Sequence, residues 1–291
     1  GQSPEADPGI AWTTKDGRRS ASVTLRSLGY GPLAANTKIA LRRAPMLNGA
    51  SLLAQIPESE ILKQAERERA SGNGVAGKPA YVNIGGKRVL GRLNWKATEP
   101  DLASQTALAF SRDIGLSTAA HPEAWGDCTQ AEAACRAGPH GAGAGEVEIA
   151  EPLVEAIAKY LAALPTPSSG QQPVQGYALF AATGCFACHA TLNDAQKRPV
   201  AAYTDLLLHD MGPELNDGIK EGAAEPQEWR TAPLWNVAQS LKIGGLLHDG
   251  RARSVAEAVA WHGGEAASAR TRFQALSASD KAALAAFVGG L

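Results

Sequence analysis

The chain is poor in aromatic residues, has no long apolar run and carries no excess of charge. Tryptophan, tyrosine and phenylalanine together make up 5% of its 291 residues, too few for the core of a large β-sandwich. Its abundant alanine, glycine and proline fit a loop-rich helical protein of one large or two ordinary domains. No eighteen consecutive apolar residues occur, so no stretch reads as a membrane-spanning helix. A formal net charge of −1 lacks the basic footprint of a nucleic-acid binder. No strand–helix–strand pattern surrounds a cysteine pair, which argues against a thioredoxin-type centre. There is also no charged-then-apolar leader, and Gly1 onward reads as mature or truncated protein.

Of the four cysteines, two fall in Cys185-Phe186-Ala187-Cys188-His189. Thiols three positions apart with an imidazole directly after are the arrangement that attaches haem. The thiols add to its vinyl groups as thioethers, and the imidazole falls onto the iron. The second ligand pair that a zinc site would need is missing. Cys128 and Cys135 sit in a polar, alanine-rich loop and read as a short disulfide, a closure contributing roughly 2–3 kcal/mol in the chain-entropy description. Two free buried thiols are the alternative. Covalent haem attachment occurs outside the bacterial cytoplasm, so an exported, periplasmic protein is expected.

Residues 1–40 show no period, only turn signals at Asp16-Gly17 and Gly29-Tyr30-Gly31-Pro32. The apolar positions from Ala44 to Ala54, giving way to Gln55, read as one short helix, with Leu47, Leu52, Leu53 and Ile56 as inward candidates. A second should open at Pro57 and run to about Arg69, with Glu58 and Glu60 in the first turn, where the helix dipole favours anions. Gly85-Gly86 between Tyr81–Ile84 and Lys87–Leu90 predicts a small hairpin. Asp101 is a candidate N-cap for a helix to Ile114. Gly138–Gly145 reads as a loop. Glu151–Leu164 is amphipathic, with Leu153, Val154, Ile157, Tyr160, Leu161 and Leu164 on one face. Pro165-Thr166-Pro167-Ser168-Ser169-Gly170 then sets a boundary between a domain at 1–166 and a haem-wrapping domain at 167–291. Ser254 and Ser279 are candidate caps for later helices. The expected fold class is mainly α: a cytochrome c-like haem domain preceded by an irregular, mostly helical domain with a small β-hairpin.

Several stretches are specific in combination: Ala44-Pro45-Met46-Leu47-Asn48-Gly49, Gly91-Arg92-Leu93-Asn94-Trp95-Lys96-Ala97, Asp205 to Gly212, Trp229 to Trp235, His248-Asp249-Gly250-Arg251-Ala252, and Trp261 to Ala266. In these the chain resembles the di-haem oxidoreductases, also labelled thiol oxidoreductases, of the bacterial di-haem cytochrome c peroxidase superfamily. It looks like their C-terminal portion. The resemblance implies covalent haem c, an exported location and electron transfer with peroxide-type chemistry. Family members carry two C-x-x-C-H motifs, and this chain has one. The other is expected upstream of Ala44-Pro45, on a preceding haem domain, unless the protein is a natural single-haem relative. Relatives also tend to have an Asp-rich loop where this chain reads Ser71 to Gly77, which leaves a calcium site there without carboxylates.

The sixth iron ligand decides the chemistry, and an open or otherwise filled position is one alternative to a protein ligand there. In the peroxidases a methionine lies about fourteen residues beyond the histidine of a His-Asp-Gly motif, and that position here, counted from His248, is His262. The resemblance therefore implies His189 and His262 as axial pair, low-spin, closed to peroxide and lower in potential than a His/Met pair. Met211 and His209 are the rivals. His248 reads as a loop-fixing partner of Asp249 or, with Arg251, as a haem-propionate contact. Arg230 reads as a propionate fork or a solvated cation. By the same resemblance Trp95 would lie between two haems and shorten a tunnelling gap. Gln105 and Asp113 would line a peroxide pocket, where a carboxylate can move a proton between the peroxide oxygens. Taken alone, the three read as a core aromatic, a surface helix residue and a helix-end polar group. The function expected is an electron-transfer haem drawing on a small cytochrome c or cupredoxin for hydrogen peroxide reduction. The alternatives are an electron carrier without catalysis, and oxidation of an organic or thiol substrate.

Overall fold

The structure, a computed structural model, describes residues 5–126, 128–143, 145–167 and 173–291. It opens with a long hairpin, β1 (Asp7–Lys15) and β2 (Arg18–Arg26), in register from Asp7↔Arg26 to Lys15↔Arg18. Asp16 and Gly17 form the turn at φ 51° and 74°, a left-handed pair that matches hairpin twist. Both faces of the ribbon are largely exposed, so no apolar alternation marks it in the sequence.

Next come α1 (Ala50–Ala54) and α2 (Glu58–Ser71). The first is shorter than its apolar run predicts: it starts only after Gly49 at φ 81°. Leu47, expected inward, is 49% exposed. α2 begins after Pro57, carries Glu58 and Glu60 in its first turn and ends at left-handed Gly72. β3 (Tyr81–Ile84) and β4 (Lys87–Leu90) form the expected hairpin. α3 (Leu102–Ile114) is capped by Asp101, whose carboxylate accepts the Ser104 N–H at 2.8 Å. α4 (Ala133–Arg136) is one turn, and α5 (Glu151–Ala162) packs on α3. Of its apolar face Val154 is buried, Leu153 and Tyr160 are exposed, and Ile157 and Leu161 border an internal cavity.

The second half runs α6 (Val174–Ala182), β5 (Leu192–Asn193), β6 (Pro199–Val200), β7 (Leu208–Asp210), β8 (Glu228–Arg230), α7 (Val237–Ile243), α8 (Val255–Ala260), α9 (Ala267–Ala275) and α10 (Ala278–Gly289). Ser254 caps α8 by accepting the Glu257 N–H at 3.1 Å. The cap of α10 is Ser277, not Ser279: its hydroxyl accepts the Asp280 N–H at 3.1 Å and donates to the Asp280 carboxylate at 2.8 Å. α6 crosses α10 at Gly176. A Cβ there would sit 2.5 Å from the Ala283 carbonyl oxygen and 2.5 Å from Phe287 Cβ.

One apolar cluster gathers Phe180, Phe273, Leu284 and Phe287 around this crossing. Another joins Leu53, Ile61, Leu90 and Leu102 to Leu192, Leu206, Leu207 and Trp235. The two halves of the chain thus share a core.

The expectation of a mainly α chain is overturned. Helix accounts for 36% of the chain and strand for 16%, and the described residues hold four two-stranded antiparallel sheets, so the class is mixed. The missed strands fall into two kinds. The exposed hairpin β1–β2 has no buried face to impose a period. The pairs β5–β6 and β7–β8 are two or three residues long, too short for one to register. Ser168, Ser169 and Gly170 of the expected boundary, Asp127 in the cysteine loop and Ala144 in the glycine-rich stretch lie outside the described residues. Among the described residues no helix is long and apolar enough to cross a membrane.

Candidate functional site

α6 ends at Thr183, and the chain must turn sharply to bring two cysteines inward. Gly184 makes the turn at φ 83°. A Cβ there would collide with the Arg272 guanidinium, whose Nε donates to the Thr183 carbonyl at 2.9 Å. A 3-10 turn at Cys185–Ala187 follows, and both Cys185 and Cys188 border one internal cavity of about 1650 Å³. That exceeds the roughly 300–1,000 Å³ of an ordinary small-molecule pocket. Both thiols are unpaired, and burial pushes both above the usual cysteine range.

His189 borders the same cavity. Its Nδ1 lies 2.9 Å from the Tyr203 carbonyl oxygen. A carbonyl only accepts, so Nδ1 carries the proton and Nε2 keeps its lone pair. Phe180 and Phe186 meet edge to face at 4.8 Å beside it, and Tyr203 stacks on Phe186 at 6.2 Å. Burial pulls the His189 pKa down to about 4, so the ring is neutral at pH 7.

His262, just beyond α8, borders the cavity too. Its Nδ1 lies 2.8 Å from the Ala258 carbonyl oxygen one turn back, which fixes the same tautomer, and burial lowers its pKa. A charge on His262 would depress His189 further, so the two rings are electrostatic neighbours. Both keep accessible surface although protein surrounds them, because that surface faces the cavity. Neither Nε2 has a hydrogen-bond partner among the described residues. Two orphaned imidazole nitrogens, each oriented by a backbone carbonyl through its other nitrogen, form a donor set of the kind that suits a metal ion. With two unpaired thiols beside them, the residues fit haem.

The rivals differ. His209 is buried with Nε2 2.9 Å from Asp205 Oδ2 and Nδ1 2.8 Å from Glu265 Oε2. Burial opposes its charge, but Asp205 and the hydrogen bonds to Asp205, Cys188 and Glu265 outweigh it and raise its pKa. An imidazolium with both nitrogens donating has no lone pair for a metal. Nearby Glu68 is raised to about 7, first by burial and then by the charge of Asp205. Met211 borders the cavity and packs with Leu215, Trp229 and Trp261.

Arg230 is buried, donating through Nε to the Asn94 carbonyl at 2.8 Å and through Nη1 to the Thr231 carbonyl at 2.9 Å. Burial lowers its pKa to about 10. Its Nη2 has no partner among the described residues, and the residue borders the cavity, as a carboxylate anchor would. The expected His248–Asp249 pair is not made. Asp249 binds Arg251 at 2.8 Å, and His248 instead lies flat on Trp229, centroids 3.9 Å apart. Burial and the cations Arg251, Arg42 and Lys96 hold His248 down to about 3.

Trp95, Gln105 and Asp113 all border the cavity that holds the cysteines. Trp95 Nε1 donates to the Arg43 carbonyl at 2.7 Å. Sequence reasoning missed Lys96. Its buried ammonium donates to the carbonyls of Glu225, Pro226 and Glu228 at 3.1, 2.9 and 2.7 Å and sits 3.6 Å over the Trp229 ring. Burial lowers its pKa to about 8. A lysine normally reads as surface, and its acceptors lie about 130 positions away, so only its place beside Trp95 hinted at a role. Cys128 and Cys135 lie at disulfide-forming distance, with Cα atoms 6.2 Å apart.

A model of the family described as "Di-haem oxidoreductase, putative peroxidase" matches residues 27–291. Among curated proteins and solved structures none matches the chain.

Proposed function

The chain belongs to the di-haem oxidoreductase family, and on that premise we propose that it carries a covalent haem c serving electron transfer in peroxide reduction. Cys185 and Cys188 would hold the macrocycle as thioethers, and His189 and His262 would each offer Nε2 to its iron. Bound haem would supply one-electron exchange at its iron. The observation that carries this reading is the pair of unpartnered Nε2 atoms on one cavity wall system with the two free thiols. His209 is disfavoured by its two carboxylate partners.

The chain's own residues then divide the work. The Tyr203 and Ala258 carbonyls fix the tautomers of the two ligands. Arg230, with one terminal nitrogen unused, suits a propionate. Hydrogen peroxide takes up two electrons and two protons to give two waters. Electrons would enter singly from a small cytochrome c or cupredoxin and leave through Trp95 toward the second haem that the family's di-haem description implies. Asp113, exposed at the end of α3, would carry protons, and Gln105 would orient the peroxide. The need for haem attachment outside the cytoplasm favours an exported protein, and there Cys128 and Cys135 would be joined.

A thioether in place of imidazole favours the ferrous state. His262→Met should therefore raise the midpoint potential of the holoprotein by on the order of 100 mV or more, since axial-ligand identity ranges over hundreds of millivolts. Potentiometric titration reads it, and an unchanged potential would remove His262 from the iron.

A further inference from the structure

We propose that the β1–β2 hairpin clamps the turn that presents His262, with Arg18 as a positioning residue for the sixth ligand. The inference rests on the assignment of His262 above. It concerns a segment that precedes residue 27 and lies outside the family likeness.

The geometry converges on the last turn of α8. Helix ends leave carbonyls with acceptor capacity to spare, and two of them here are used in different ways. The Ala258 carbonyl accepts the Trp261 N–H at 3.1 Å and also the His262 imidazole Nδ1–H at 2.8 Å. The Ala260 carbonyl, two residues before His262, receives Arg18 Nη2 at 2.5 Å from a position 242 residues away in sequence. Arg18 follows directly on the Asp16-Gly17 turn, so it stands at the tip of the ribbon. Its guanidinium also lies 5.1 Å from the ring centre of Trp261, the residue between Ala260 and His262.

Arg18 is itself anchored. Its Nη1 pairs with Glu214, which also binds Arg270 at 3.3 Å. Arg251 lies 4.4 Å over the Trp261 ring and donates to the Glu214 carbonyl at 3.2 Å. The Trp261 side chain of the turn is thus also held from the Asp249–Arg251 turn, and Glu214 is held from α9. Only Arg18 reaches the backbone of the Ala260–His262 turn from the hairpin. The remainder of the ribbon is largely exposed, so its tip is where it acts on the site. A cation at a helix C-terminus is favoured by the exposed carbonyls, and a guanidinium fork on a carbonyl and a carboxylate together fixes direction as well as distance.

The consequence is a His262 Nε2 held in place before any ligand arrives. Loosening the tip would let that imidazole leave more often and admit an exogenous ligand. The test uses the ferric holoprotein and cyanide as the probe. Arg18→Ala should bind cyanide about tenfold faster, the factor that losing one hydrogen bond to a charged group corresponds to, and show a new high-spin fraction by EPR at unchanged haem content. Arg18→Lys, which keeps the charge but not the fork, should fall between. Glu214→Gln removes the anchor without altering the ribbon and should move the rate in the same direction, which keeps the test valid if Arg18→Ala does not fold. His262→Ala is the control and should bind cyanide fastest. If His262→Ala is fast while the Arg18 and Glu214 variants bind at the wild-type rate, the clamp is wrong and the ligand assignment stands. If His262→Ala itself binds at the wild-type rate, the ligand assignment fails and the clamp falls with it.

Discussion

His209 and His262 illustrate, at the scale of single residues, what decides whether an imidazole can serve a metal. His262 spends one nitrogen on the carbonyl of Ala258, four residues back, and keeps the other. His209 spends both on carboxylates. Glu99 shows the same physics in an acid. Its side chain is 6% exposed and has no hydrogen bond among the described residues. Burial, with smaller contributions from Asp101 and Glu221 and against Arg112, raises its pKa from the ordinary 4.5 to about 7. Between these values the folded state binds more protons at this group than the unfolded state. Glu99 therefore lowers stability progressively as pH rises from about 4.5 to 7, and its effect is level above. Denaturant titrations of holoprotein at several pH values should show Glu99→Gln reducing that slope by up to about 3 kcal/mol across the window. Glu68 titrates in the same range, so a residual slope should persist. An identical slope in the variant would mean that Glu99 is solvated. The residues proposed to attach haem stand together in the sequence, within five consecutive positions, and the structure brings all of them to one cavity. The locks on His209 and Lys96 were not, because Glu265 is 56 positions from His209 and the carbonyls around Lys96 about 130 from it.

Among the elements, the crossing of α6 and α10 holds in place the helix that leads into the cysteines. Gly176→Ala would put a methyl group 2.5 Å from both a backbone oxygen and the Phe287 Cβ, so one helix must move. Overpacking of this kind costs about 1–3 kcal/mol, against the small gain a helix normally shows on Gly→Ala. Thermal unfolding should show a lowered midpoint; a raised one would mean that the helices are free to separate. Elements with a local cause were readable from sequence: the Asp101 and Ser254 caps, Pro57 before α2, and the Gly85-Gly86 hairpin. The two-residue turn of β1–β2 was visible in Asp16-Gly17, yet its strands were not, since neither face is buried. Ser277 displaced Ser279 as the cap of α10 because its hydroxyl reaches both the backbone and the carboxylate of Asp280. β7 and β8 meet across an intervening loop of seventeen residues, Met211 to Gln227, with His209 opposite Trp229, and nothing within three residues announces that pairing.

At the scale of the whole molecule, the cavity is what the two halves of the chain make together. Trp95, Gln105 and Asp113 come from the first half, and the cysteines, His189, Arg230 and His262 from the second, all bordering one cavity. The motifs carrying the family likeness are spread from residue 44 to residue 266, and this convergence gives them a common purpose. The mixed fold class escaped the sequence because its strands are made by tertiary pairing, whereas the C-x-x-C-H residues are contiguous and His262 was pointed to only by the family resemblance. The central claim is that this space holds one haem between His189 and His262. Low-temperature EPR of the ferric protein, with haem per chain quantified on the same sample, tests it most directly. One haem with a single low-spin, bis-imidazole signal is the predicted result. A dominant high-spin signal, or a low-spin signal unchanged in His262→Ala, would contradict it.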